Sequence, residues 1–150
     1  PIDVISERLI PYLLGLRIEV KDNVYLSKVV DTLRARAKTL REMAQMAYFY
    51  YKEDYDFEKK AKEKFFTQKG REILAFFLSE FEKIDQISEE SLRSIFEKAS
   101  RTFDVKLVDA VQIVRLAISG RLATPGIFEV IEILGKESTK RRVERAIREI

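Results

Sequence analysis

Apolar residues recur at intervals of three and four from one end of this chain to the other, and no stretch alternates apolar with polar over the length of a strand. That pattern predicts an all-α fold built from short amphipathic helices. Val4, Ile5, Leu9, Ile10, Leu13 and Leu14 mark a first helix, which Gly15 ends and Pro11 must kink or restart. Asp22 or Asn23 caps a second helix carrying Val24, Leu26, Val29, Val30 and Leu33. Thr39-Leu40-Arg41-Glu42 is a capping box, the start of a third helix that runs through Met43, Met46 and Ala47 into Tyr48-Phe49-Tyr50-Tyr51. Beyond a polar break at 52–56, helices are expected at about 57–66, 67–84, 88–99 and 106–119. A short apolar one follows the Thr124-Pro125 start, and a last one runs from near Ser138 to the end of the chain. The joint between two halves is placed at Asp85–Ser88, which gives subdomains 1–84 and 85–150.

A chain of 150 residues buries about two thirds of its unfolded surface, enough for two small cores. There is no Cys and no His, so disulfides, thiolate metal sites, most zinc sites and His-dependent nucleophilic catalysis are excluded. The net charge of +3 is too small to imply a polyanion partner unless the basic residues gather on one face. No apolar run is long enough to span a bilayer, no signal peptide is evident, and no Gly- or Pro-rich linker interrupts the sequence.

Chemistry concentrates in Ile118–Gly135. Thr124 suits an N-cap and Pro125 a first helical residue. Gly126 leaves the first turn as bare backbone. Ile127, Phe128, Val130, Ile131, Ile133 and Leu134 then make a mostly buried helix that Gly135 ends. Uncovered N–H groups at such a start suit a phosphate or the acceptors of a base, although an ordinary interhelical turn is the commoner source of the pattern. In the preceding helix Lys106, Asp109, Gln112, Arg115 and Ser119 form a narrow polar stripe, from which Arg115 can reach over the next helix start. Arg36 stands in the short joint before the Thr39 cap, held between two helices. Packing is the better account of the Tyr48–Tyr51 cluster than base stacking, because four consecutive helical residues point four ways. Lys140, Arg141, Arg142, Arg145 and Arg148 read as a solvated helix end that complements the dipole, in preference to an RNA-backbone contact. The acidic pairs Glu53/Asp54 and Glu89/Glu90 sit where caps and dipole partners do.

Gln112-Ile113-Val114-Arg115-Leu116-Ala117-Ile118-Ser119-Gly120, then Thr124-Pro125-Gly126-Ile127-Phe128-Glu129-Val130 and Leu134-Gly135-Lys136-Glu137, resemble the end of bacterial glutamyl-tRNA synthetases. Arg36-Ala37-Lys38-Thr39-Leu40-Arg41-Glu42 and Glu53-Asp54-Tyr55 resemble the same family in the same order, so the resemblance covers essentially the whole chain. It implies an all-helical anticodon-binding cage of two small subdomains, and binding rather than catalysis. The family's active site lies upstream in a Rossmann domain with HIGH-type and KMSKS-type signatures. Neither signature is present here, so the resemblance implies an excised part of a larger ligase. That parent joins glutamate to tRNA using ATP and Mg; no cofactor or metal is expected in this part. By the same resemblance Arg36 meets the third anticodon base, while Arg115, Thr124, Pro125, Gly126 and Ile127 surround the first two. Lys38 and Arg121 bracket the two loops as further basic contacts. The implied partner is the anticodon loop of tRNA-Glu, met by a cytoplasmic monomer with no membrane role. Two other classes stay open on the residues alone: a helical protein-interaction module without RNA binding, and an enzyme working through carboxylates.

Overall fold

The computed structural model describes residues 1–150 and consists of eight α-helices with no strand. No helix is long and apolar enough to cross a membrane. The chain divides into two compact units, Pro1–Tyr55 and Asp56–Ile150. The sequence spacing places the joint at Asp85–Ser88 instead, but that stretch is a turn inside the second unit. The helices on either side of it pack against each other, so the turn connects neighbours rather than domains.

The first unit is a three-helix bundle of α1 (Ile2–Gly15), α2 (Asn23–Leu33) and α3 (Leu40–Tyr51). Leu9 and Leu13, Leu26, Val29, Val30 and Leu33, and Met43, Ala44, Ala47, Phe49 and Tyr50 form its core, at the three- and four-residue spacing that predicts the helices. Asp22 caps α2, accepting from the N–H groups of Val24 and Tyr25 at 2.9 and 3.1 Å, and Thr39 caps α3, accepting from Glu42 N at 3.0 Å. Of the kink or restart expected at Pro11, the restart does not occur: α1 continues through it to Gly15. The carbonyl four residues back belongs to Glu7, and both residues are exposed, so that carbonyl is open to solvent. The chain then turns on Arg17, at φ 64°, rather than on Gly15. Arg17 N donates to Leu14 O and Ile18 N to Leu13 O, both at 2.9 Å, and Ile18 is buried. This is a Schellman closure whose apolar contact outweighs the strain of a left-handed arginine.

The second unit contains α4 (Lys59–Phe65), α5 (Gln68–Lys83), α6 (Glu89–Phe103), α7 (Leu107–Ser119) and α8 (Ile127–Arg148). Helix α7 packs against all four others and buries Ala110, Ile113, Val114 and everything from Leu116 to Ser119. Phe77 stacks on Phe81 and Phe96, with ring centroids 5.3 and 5.5 Å apart. Each such side chain contributes about 1.5–3 kcal/mol on burial. Ser88 caps α6, and Ser91 returns the bond to Ser88 N, so the reciprocal cap is built from two serines. Gly135, at φ 82° and ψ 172°, departs from helical geometry as expected, yet helix resumes at once, without the gap that a start near Ser138 implies. Lys136 donates to the carbonyls of Glu82 and Ile84 at 3.1 and 2.5 Å, satisfying the end of α5.

Two glycines differ in what surrounds them. A Cβ at Gly70 would collide with the carbonyl of Phe65, whereas one at Gly15 would meet nothing within 4 Å. Gly70→Ala should therefore cost about 1–3 kcal/mol, and Gly15→Ala should add up to about 1 kcal/mol, in urea unfolding of the two variants.

Candidate nucleic-acid interface

The turn from Gly120 to Gly126 is held from three sides. Gly120 leaves α7 at φ 79°, its N–H bonded to Leu116 O at 2.8 Å. Ser119 Oγ lies 2.6 Å from Arg115 O and 3.0 Å from Arg121 O, and accepts from Arg121 N at 3.1 Å. Arg115 then bridges the turn. Its Nε donates to Gln112 Oε1 at 2.7 Å, and its Nη1 donates to Pro125 O at 2.8 Å and to Thr124 Oγ1. Gln112 in turn donates to Leu122 O at 3.4 Å. From the start of α4, Glu58 accepts from Leu122 N at 3.1 Å through its side chain and donates its own N–H to Gly120 O at 2.9 Å. Glu58 was invisible to sequence reasoning, since it acts across 64 residues of chain.

These contacts reassign several expected site residues. Thr124 is not an N-cap: α8 begins at Ile127 with Gly126 before it and no side chain capping it. The Thr124 hydroxyl is committed instead to Arg115 and to Pro125 O, which it donates to at 2.8 Å. Thr124, Pro125 and Ile127 are buried and Arg115 is half-buried, so these four shape the turn. Arg121, Ala123 and Gly126 are what the turn exposes. A Cβ on Gly126 would lie 3.2 Å from Glu129 Oε1, so a carboxylate already sits beside the open start of α8. A phosphate would be repelled there. The backbone of Gly126 suits an uncharged acceptor or donor.

In the first unit Arg36 and Lys38 lie in the tight connection from α2 to α3. Arg36 N and Ala37 N both bond Leu33 O, at 2.9 and 3.0 Å. Along the helix pair, away from this turn, Tyr25 donates to Tyr50 O at 2.5 Å and the hydroxyls of Thr32 and Tyr50 lie 2.9 Å apart, fastening α2 to α3. Arg36, Lys38 and the next basic residue, Arg41, are exposed and none is paired with a carboxylate. Arg34, by contrast, lies 3.4 Å from Asp31.

The aromatic cluster is packing. Phe49 and Tyr50 are buried, Tyr48 donates to Asp54 at 2.9 Å, and half-buried Tyr51 has its hydroxyl pKa pushed up by burial, then by Tyr25 and Asp22. The basic end of α8 corrects a simple solvated reading. Arg142 is 2% exposed, donating to Ile118 O at 2.8 Å and to Ser138 Oγ at 2.9 Å. It fills the need of a buried carbonyl in the last turn of α7. Lys140 reaches Glu82 at 3.9 Å, and the Arg145 guanidinium lies 4.7 Å over Phe57.

Arg115→Lys keeps the charge but removes the planar fork that spans three acceptors. We expect about 1–3 kcal/mol lost in urea unfolding, with faster hydrogen exchange confined to amides 120–126. Unchanged exchange there would show that Arg115 does not hold the turn.

Comparison with known proteins agrees with this fold. The anticodon binding domain family matches residues 4–147. Glutamate–tRNA ligase 1 of Caldanaerobacter subterraneus subsp. tengcongensis is 34% identical over 150 residues, covering 98% of this chain and 31% of the relative. The glutamate–tRNA ligase of Geotalea uraniireducens is 34% identical over 139 residues, covering 93% and 30%. The chain thus spans under a third of the length of these curated relatives. A crystal structure of a glutamate tRNA ligase from Elizabethkingia meningosepticum, in complex with its amino acid, has the same fold at a TM-score of 0.82, with 20% identity over 98% of this chain and 29% of that one. With 144 consecutive residues matched on an eight-helix scaffold of that fold, the chain belongs to the anticodon-binding domain family.

Proposed function

We propose that this chain is the anticodon-reading region of a glutamate–tRNA ligase and that it binds the anticodon loop of tRNA-Glu. The longer protein would join glutamate to that tRNA with ATP and Mg, chemistry for which this region supplies recognition only. The observation that carries the proposal is the set of unpaired cations, Arg36 and Lys38 on the tight hydrogen-bonded turn between α2 and α3 and Arg41 at the start of α3. Long basic side chains left without carboxylates at such a turn are built for an anionic partner from outside.

Within that set Arg36 is the base reader. Glutamate anticodons end in C and glutamine anticodons in G. An unpaired C presents O2 and N3 acceptors on its pairing edge, which a guanidinium can meet with a fixed pair of donors. G presents N1–H and N2–H donors there, and Arg36 has nothing to accept them. Lys38 supplies charge without base preference. In the second unit the exposed backbone at Gly126 and the side chain of Arg121 would face the first two anticodon bases, over a floor made by Thr124, Pro125 and Ile127 and held up by Arg115.

Two measurements on anticodon stem-loops test this reading. Wild type should prefer a stem-loop ending in C over the same loop ending in G by about 1–3 kcal/mol, and Arg36→Gln should lose most of that preference without loss of stability, because glutamine both donates and accepts. Equal preference in both proteins would remove Arg36 from the site. Lys38→Ala should weaken both loops alike and reduce the slope of log affinity against log salt by about 0.7. Absence of any salt-dependent binding would favour a protein-interaction module instead.

A further inference from the structure

Beside the Arg36 turn, and within the same unit, the ends of α1 and α3 leave an open groove of about 290 Å³. One wall is the C-terminal half of α1, with Pro11, Tyr12, Gly15 and Leu16; the other is the start of α3, with Arg41, Ala44 and Gln45. The spacing makes each wall a single helix face. We infer that this groove receives one further unpaired nucleotide of the same RNA loop, flanking the base that Arg36 faces.

Four features converge on a nucleotide. Tyr12 is 41% exposed, an uncommon position for a large ring, and it offers a face on which a base can stack. Arg41 is exposed and has no carboxylate partner, so its charge is available to a phosphate. The Gln45 amide can both donate and accept, as an edge contact to a base requires. Gly15 lines the groove with no side chain, and a Cβ there would meet nothing within 4 Å, so its missing side chain keeps the space open. Continuity fixes the occupant. Thr39 to Gln45 covers about 9 Å along the axis of α3 at about 1.5 Å per residue, so the groove begins where the Arg36–Thr39 turn ends. A strand with one base at Arg36 has its next nucleotide within reach. An apolar peptide is a poorer match, since Arg41 would lie unpaired against it. The inference rests on the RNA reading of the Arg36 turn.

Gly15→Leu tests it without harming the fold, because Gly15 has an ordinary helical backbone and replacing it favours the helix. The variant should melt no lower than wild type and bind the anticodon stem-loop about tenfold more weakly, the scale of one lost base stack. A stem-loop with an abasic site beside the third anticodon position should bind wild type about tenfold more weakly too, and should no longer distinguish Gly15→Leu from wild type. Tyr12→Ala should behave as Gly15→Leu does. If Arg36→Gln alters the preference for C while Gly15→Leu binds the intact loop as wild type does, the groove assignment is wrong and the Arg36 reading stands. If wild type binds no stem-loop at low salt, both fall together.

Discussion

Helix α7 runs through the second unit with its last turns wholly enclosed, and a helix end cannot be enclosed unless its carbonyls find donors. That single requirement explains the polar residues around it. Arg142 is taken into the interior to meet Ile118 O, and Ser119 folds back on Arg115 O. Arg115 and Gln112 lean outward to tie down the segment that leaves α7. The turn to Gly126 is therefore an extension of the core's hydrogen bonding, and it acquires a definite shape without secondary structure of its own. A loop supported in this way can present backbone groups to a ligand with little ordering left to do on binding.

The same logic separates residues that hold the turn from residues that the turn exposes. Thr124, Pro125 and Ile127 are buried and spend their polar atoms and surface on the protein. Arg121 and Gly126 are exposed at the same turn. In the first unit the division is sharper still. The Tyr25, Thr32 and Tyr50 hydroxyls fasten α2 to α3, and Arg36, Lys38 and Arg41 are exposed without counter-ions. A net charge of +3 conceals this arrangement, because the total says nothing of where pairs form: Asp31 pairs with Arg34 and Glu80 with Lys83 and Lys98, while no carboxylate pairs with Arg36, Lys38 or Arg41. Hydrogen bonds from those two lysines lower the pKa of Glu80, so it stays ionised. Local pairing, rather than total charge, is what marks a surface for a polyanion.

Much of the fold was legible because helices are local. The three- and four-residue spacing of apolar side chains, the caps at Asp22 and Thr39, the helix opening at Ser88, and the break at Gly135 all act within a turn or two of chain, and the structure places each where the spacing does. The exposure of Arg36 and Lys38 was legible for the same reason: a short joint between two capped helices leaves long basic side chains in solvent. The boundary between units was not, because Asp85–Ser88 looks like a joint until α5 and α6 are seen to share a core.

What the sequence determined by itself is the all-α class, the helix starts after Asp22, Thr39 and Ser88, and the presence of an arginine shortly before the Thr124 turn. Only the tertiary structure decided what that arginine and its neighbours do. Thr124 is an acceptable cap by its own chemistry, but Arg115 and Pro125 O claim its hydroxyl. Arg142 belongs to a solvated helix end by pattern, but a buried carbonyl 24 residues away draws it inside. Glu58 has no motif at all and still clamps the turn. Side-chain hydrogen bonds go to the nearest unsatisfied partner in space, and distance in space is the one quantity that local sequence does not contain.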